Sequence, residues 1–97
     1  MRRDVAIAKI SSQAEALKGF GATALYLFGS TARDEAGQDS DLDVFIEYDQ
    51  AKFGFAEFFL IRDVLEQATQ TKIDLATRAS LHPSLKGAIE AEAIRVL

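Results

Sequence analysis

The order of apolar segments predicts an α/β (α+β) fold, a small mixed β-sheet with helices packed on it. Two observations carry this. Three short apolar runs, 22–28, 41–48 and 72–77, have strand length and turn residues at their borders. Between and around them lie longer stretches in which apolar residues recur every third or fourth position. The size agrees: 97 residues, 48% hydrophobic and 27% charged, make one core, so residues 1–97 are read as a single domain. A domain this small buries a modest share of its surface, so association with a partner is expected.

In chain order, Ile7, Ile10, Ala14 and Leu17 form the stripe of a first helix over Asp4 to Lys18, which Lys18-Gly19-Phe20-Gly21 stops. Ala22 to Phe28 reads as a buried strand. Gly29-Ser30 opens a short helical turn, Thr31 to Glu35, and Ala36-Gly37-Gln38-Asp39-Ser40 is turn chemistry. Asp41 to Tyr48 alternates, with Leu42, Val44, Ile46 and Tyr48 on one face and Asp41, Asp43, Phe45 and Glu47 on the other. A second long helix runs from Phe55 to Gln70 on Phe58, Ile61, Leu65 and Ala68, with Phe55 and Phe59 widening the stripe. Such stripes pack on a sheet by default; a face for a partner is the alternative. Lys72 to Thr77 is a third strand, and Pro83 starts a last helix whose stripe is Leu85, Ala88, Ile89, Ala93 and Val96.

Composition narrows the chemistry. There is no cysteine, which excludes disulfides, thiolate zinc sites and a thiol nucleophile, and fits the cytoplasm. No signal core follows the N-terminal arginines, and no apolar run is long enough to span a bilayer, so no membrane role is expected. Fifteen acids against eleven bases give a net charge of −4, the wrong balance for direct nucleic-acid binding. Phosphate, if handled, is handled through a metal.

The residues that carry chemistry run from Gly29 to Asp43. A strand that ends at Gly29 and turns into a helix at Ser30 directs backbone amides outward, a setting for phosphate, and the Ser30 hydroxyl adds a donor or caps the helix. Asp41 and Asp43 lie two positions apart on a strand, so both carboxylates leave one face, and a divalent hard cation makes that pairing favourable. Asp74, between apolar Ile73 and Leu75, is the third carboxylate, with a salt bridge to Lys72 or Arg78 as its structural alternative. Arg33 reaches either phosphate or a neighbouring carboxylate, Glu35 or Asp39. Tyr26 and Tyr48 read as packing residues, and His82 is a lone histidine with no catalytic partner. In shuffled chains of this composition the Gly-Ser, ten-residue gap, Asp-x-Asp pattern arises in roughly two per thousand.

These segments resemble the DNA polymerase beta-like nucleotidyltransferases, and among them the minimal nucleotidyltransferases of MNT type. Phe28-Gly29-Ser30-Thr31-Ala32-Arg33 is similar to the family's helical-turn signature, and Ser40-Asp41-Leu42-Asp43-Val44 to its metal strand. Lys72-Ile73-Asp74-Leu75 resembles its third-carboxylate strand, and the tail from Leu81 to Ala93 the end of the MNT group. The resemblance implies a nucleotidyltransferase fold and magnesium-dependent transfer of AMP from ATP to a hydroxyl. Asp41, Asp43 and Asp74 are then the catalytic and Mg2+-binding residues, and Gly29, Ser30 and Arg33 hold the nucleotide. It further implies an antitoxin, in a hetero-oligomer with a HEPN-domain RNase toxin whose tyrosine accepts the AMP. Two other functions fit: an antitoxin that masks its toxin by binding alone, and the catalytic subunit of an antibiotic-type transferase with a small-molecule acceptor. Asp34 stands where the family usually has glycine, adding negative charge beside the phosphate turn.

Overall fold

A computed structural model describes residues 1–37 and 39–97; Gln38, part of the expected turn, lies outside the described residues. Among the described residues four strands form one mixed sheet in the order β3-β2-β1-β4. They are β1 (Ala22–Phe28), β2 (Leu42–Tyr48), β3 (Ile73–Thr77) and β4 (Ile94–Arg95). β1 is antiparallel to both β2 and β4, whereas β2 and β3 are parallel and joined through helix α4 (Phe55–Thr69). The remaining helices are α1 (Arg3–Ser11), α2 (Ala14–Gly19), α3 (Gly29–Ala32) and α5 (Pro83–Glu92), with one 3₁₀ turn at Arg78–Ser80. This is the mixed sheet with packed helices that the periodicities predict.

The alternation in the strands decides the two faces. Leu25 and Leu27, Leu42, Val44 and Ile46, and Ile73 share one core with Ala6 and Ile10 of α1, Leu17 of α2, and Ile61 and Leu65 of α4. The opposite face carries an aromatic layer: Tyr26 stacks on Phe45 with ring centroids 4.7 Å apart, and Phe28 lies 5.7 Å from Phe45. The Arg78 guanidinium covers both Tyr26 and Phe45, at 4.8 and 4.9 Å from their centroids. Phe45 is thus fully buried, although it shares its face with Asp43 and Glu47.

Three expectations are corrected. The first helix is two, because Ser12 Oγ donates to the Lys9 carbonyl at 2.6 Å and Gln13 leaves helical geometry (φ −105°, ψ 14°), so the local hydroxyl competes with the helix ladder. The phosphate turn is helical over Gly29–Ala32 rather than from Thr31 to Glu35, which puts Ser30 inside α3 and not at its cap. The last helix ends at Glu92, so Ala93 and Val96 are not on its stripe: Ala93 is extended, and Ile94 and Arg95 pair with Leu27 and Tyr26. The free edge of β1 offers hydrogen bonds that β-branched Ile94 and Val96 suit better than a helix does, and the Val96 amide donates to the Leu25 carbonyl at 2.8 Å. Consequently α5 has no fully buried residue, and Leu85, expected inside, is 56% exposed.

The phenylalanine stripe divides. Phe58 is half-buried, but Phe55 is 89% exposed and Phe59 and Leu60 are also exposed, so packing on the sheet does not account for them. Phe55, Phe58 and Phe59 line an apolar groove of about 400 Å³ with Tyr48, Phe53 and Thr77. Tyr48 and Thr77 end β2 and β3, so this groove lies at the opposite end of the sheet from Asp43 and Asp74. No helix among the described residues is long and apolar enough to cross a membrane.

Candidate active site

The strand register assembles the site. Phe28, Asp43 and Asp74 are aligned across β1, β2 and β3, as Phe28 pairs with Asp43 and Asp43 with Asp74. All three side chains therefore leave the sheet on its aromatic face, at the end where β1 runs into α3. Gly29 takes φ +72°, and a Cβ built there would stand 2.2 Å from Asp43 Oδ2. Its missing side chain admits the carboxylate of Asp43, with backbone geometry that L-residues rarely adopt.

Two like charges side by side have an electrostatic signature. Burial pushes the Asp43 carboxyl above the usual aspartate range, the charges of Asp74 and Asp41 push it further, and Arg33 opposes them. Asp74 is exposed, not buried as its apolar neighbours imply, because β3 is an edge strand. Its alternative partners are engaged elsewhere: Lys72 Nζ lies 4.0 Å from Asp41, and Arg78 pairs with Glu47 at 2.6 Å and with Glu90. Asp41 itself precedes β2 and is half-exposed at the mouth of the site. Among the described residues no group of three acidic or histidine side chains converges on one point. The neighbouring pair Asp43 and Asp74 nonetheless suits magnesium, which takes one or two carboxylates and completes its shell with water and phosphate oxygens. Hard oxygen donors whose mutual repulsion raises a carboxyl pKa are what a divalent cation relieves.

The phosphate turn differs in detail from its sequence reading. The Gly29 amide donates to Glu92 Oε1 at 3.0 Å, and Arg33 Nη1 donates to Glu92 Oε2 at 2.9 Å. Arg33 Nε donates to Glu35 Oε2 at 3.1 Å, so Arg33 is held by Glu35 and not by Asp39. These contacts hold the Glu92 carboxyl below its usual range, the Arg33 bond foremost and the Gly29 amide adding to it. Ser30 is half-buried beside them. Glu92 escaped the sequence reading: it lies 63 residues from Gly29, a single acid between two alanines, with no spacing to mark it. His82, by contrast, is explained as a cap, its Nδ1 accepting from the Ser84 amide at 3.2 Å ahead of Pro83.

Asp34 turns away from this cradle. It adopts φ +59°, a left-handed conformation that aspartate tolerates better than most residues, and its Oδ1 accepts the Arg3 amide at 3.0 Å. Its carboxylate thus caps the first turn of α1, where negative charge is favourable. Asp34→Ala is expected to lower stability by about 1–3 kcal/mol through loss of that cap and strain at positive φ, and Asp34→Gly by less. Thermal melts of the two variants check this; an unchanged melt for Asp34→Ala contradicts the capping role.

Comparison with known proteins identifies the family. The family described as nucleotidyltransferase domain matches residues 7–96. MJ1379 of Methanocaldococcus jannaschii, an inferred protein adenylyltransferase, is 39% identical over 72 residues, covering 72% of each chain. A solved structure described by inference as a minimal nucleotidyltransferase superposes with a TM-score of 0.84 at 26% identity, over 97% of this chain and 95% of that one. A toxin–antitoxin crystal structure with AMP-PNP shares the fold, with a TM-score of 0.70 at 17% identity over 90% of this chain and 72% of that one. With a family match across nearly its whole length and a relative above 30% identity, the chain belongs to the nucleotidyltransferase domain family.

Proposed function

We propose that the chain transfers AMP from ATP to a hydroxyl of a partner protein, and that the partner is a HEPN-domain toxin which the modification silences. The observation that carries this reading is the alignment of Asp43 with Asp74, pressed against the Gly29-Ser30 turn. Support for the protein acceptor comes from the name of MJ1379, and for a toxin partner from the toxin–antitoxin structure that shares this fold. The exposed aromatic face around Phe55 and Phe59 supplies apolar surface for a partner, as a small domain requires.

In this mechanism Asp43, with Asp74 beside it and Asp41 at the mouth of the site, would hold magnesium, which when bound would neutralise phosphate charge and favour the deprotonated acceptor. Ser30 and Arg33 bind the triphosphate, the one through its hydroxyl and the other through guanidinium donors left by Glu35 and Glu92. Gly29 keeps the turn close to Asp43. The acceptor oxygen forms a bond to the α-phosphorus while the bond from that phosphorus to the bridging oxygen breaks. Pyrophosphate leaves with the electron pair, and the hydroxyl proton passes to Asp74, an exposed carboxylate beside Asp43.

Intact-mass spectrometry tests the proposal. The product of the neighbouring gene is expected to gain one or more AMP units when incubated with this chain, ATP and magnesium, and none with an Asp41→Asn/Asp43→Asn variant. A stable complex with no added mass from either version overturns the catalytic reading in favour of masking by binding, which the exposed aromatic face also supports. Transfer to a small molecule instead of the protein moves the acceptor to the antibiotic type.

A further inference from the structure

We propose that Glu92 is a positioning residue for the nucleotide: its carboxylate bridges the Gly29 amide and the Arg33 guanidinium, and so sets the phosphate turn from the far end of the chain. The proposal rests on the nucleotidyl-transfer reading of the same site.

Both carboxylate oxygens are used, one on each partner, at 3.0 Å to Gly29 N and 2.9 Å to Arg33 Nη1. A bridge of this kind ties the first residue of α3 to the residue that follows its last, so the turn's two ends are fixed relative to each other. Glu92 is itself well braced. Two residues later β4 pairs with Tyr26 and Leu27, the stretch of β1 that leads directly into Gly29. Two residues earlier Glu90 pairs with Arg78, which is packed on the aromatic layer. Because α5 buries no residue completely, these polar and strand contacts, more than a hydrophobic seat, decide where its end lies.

The effect on Arg33 is preorganisation. Glu35 holds Nε and Glu92 holds Nη1, and Nη2 has no acceptor among the described residues. A planar guanidinium clamped along two edges presents its third edge in one direction, so little further ordering accompanies a phosphate contact there. The Gly29 amide serves the same end. Tied to Glu92, it holds the positive-φ backbone that lets Asp43 approach, so one carboxylate supports both the phosphate side and the carboxylate side of the site.

Titration calorimetry with AMP-PNP and magnesium, on the full chain and its E92A and E92Q variants, reads the effect. E92A is expected to weaken nucleotide binding about tenfold or more, the scale seen when supporting contacts of a binding group are removed. E92Q keeps an acceptor for the Gly29 amide but loses the charge for Arg33, and falls between. In transfer assays KM for ATP rises more than kcat falls, and amide exchange at Gly29 accelerates in E92A but little in E92Q. If E92A fails to fold, E92Q alone decides through its affinity. Nucleotide binding that is equal or tighter in both variants overturns the proposal, and tighter binding makes Glu92 a competitor of phosphate. Absence of nucleotide binding by the natural chain overturns the function reading and this proposal with it, whereas unchanged affinity with intact transfer overturns this proposal alone.

Discussion

Asp43→Asn is expected to cut nucleotide transfer severely while leaving the cation-free fold at least as stable as the natural chain. The two effects have one cause. Asp43 sits beside Asp74 and near Asp41, and burial together with those charges raises its carboxyl pKa. A raised folded-state pKa means that the folded chain binds the proton more tightly than the unfolded chain does. Asp43's contribution to stability is therefore most favourable at acid pH, falls as pH rises from the ordinary aspartate value of 3.8 through the raised one, and is flat above it. The asparagine variant is spared that fall. Its advantage is near zero where Asp43 is protonated and grows through the carboxylate range to as much as about 1 kcal/mol, the scale of directly opposed like charges in a sheet. For a domain of this size that is roughly 4–8 °C in melting temperature at the upper limit. Magnesium should raise the melting temperature of the natural chain and not that of the variant, because binding to the folded state alone stabilises it. Transfer should fall by a factor on the order of 10²–10³, the usual loss when an electrostatic stabiliser of the reacting centre is removed. Melts across pH with and without magnesium, beside a transfer assay, check all of this. A variant with wild-type transfer removes Asp43 from the mechanism, and one less stable than the natural chain at neutral pH without metal contradicts the charge argument.

Gly29→Ala should be nearly as damaging to transfer and, unlike Asp43→Asn, damaging to the fold. The added methyl would lie 2.2 Å from Asp43 Oδ2 and 3.1 Å from its Cγ, in a backbone held at φ +72°. Positive φ costs an L-residue about 1–2 kcal/mol, and the clash is relieved only if Asp43 or the turn shifts. A displacement near 1 Å at a reacting centre is enough for a loss of about 10²-fold. Gly19→Ala supplies the control, since a Cβ there meets nothing within 4 Å at the end of α2. It should leave transfer unchanged and stability equal or slightly higher. A Gly29→Ala chain with normal melting and normal transfer would show that Asp43 does not need the close approach.

The local patterns of this sequence were enough for β1, β2 and β3. Leu42 to Tyr48 alternates, and a period of two leaves one choice of buried face, so Asp43 and its neighbours were placed correctly from the residues alone. The same holds for the core of α4, where Ile61 and Leu65 are fully buried. Elsewhere local pattern misled. A stripe such as Ile7, Ile10, Ala14 and Leu17 is compatible with one helix or two, and a single Ser12 hydroxyl decides between them. The apolar residues after Glu92 suit helix and strand alike, and the vacant edge of β1 settles the matter. Phe55 and Phe59 extend a helical stripe, yet the fold leaves both exposed.

The site shows the same division. Gly29, Ser30, Asp41 and Asp43 are legible because they lie within one short segment, where a strand ending, a turn and a strand start have recognisable residues and spacing. That Asp74 stands beside Asp43, with Lys72 and Arg78 drawn off to other acids, depends on a parallel register that pairs residues 31 positions apart, which no local spacing encodes. Glu92 depends on it still more, being brought to Gly29 and Arg33 by the return of the chain end along β1. By itself, then, the sequence determined β1, β2, β3 and α4, the core-facing side of β2 and the segment read as the site, all of which follow from short-range sterics and hydrophobic periodicity. Only the tertiary structure decided which distant carboxylates meet that segment, because pairing between strands is set by the free energy of the whole core and not by any stretch of chain within it.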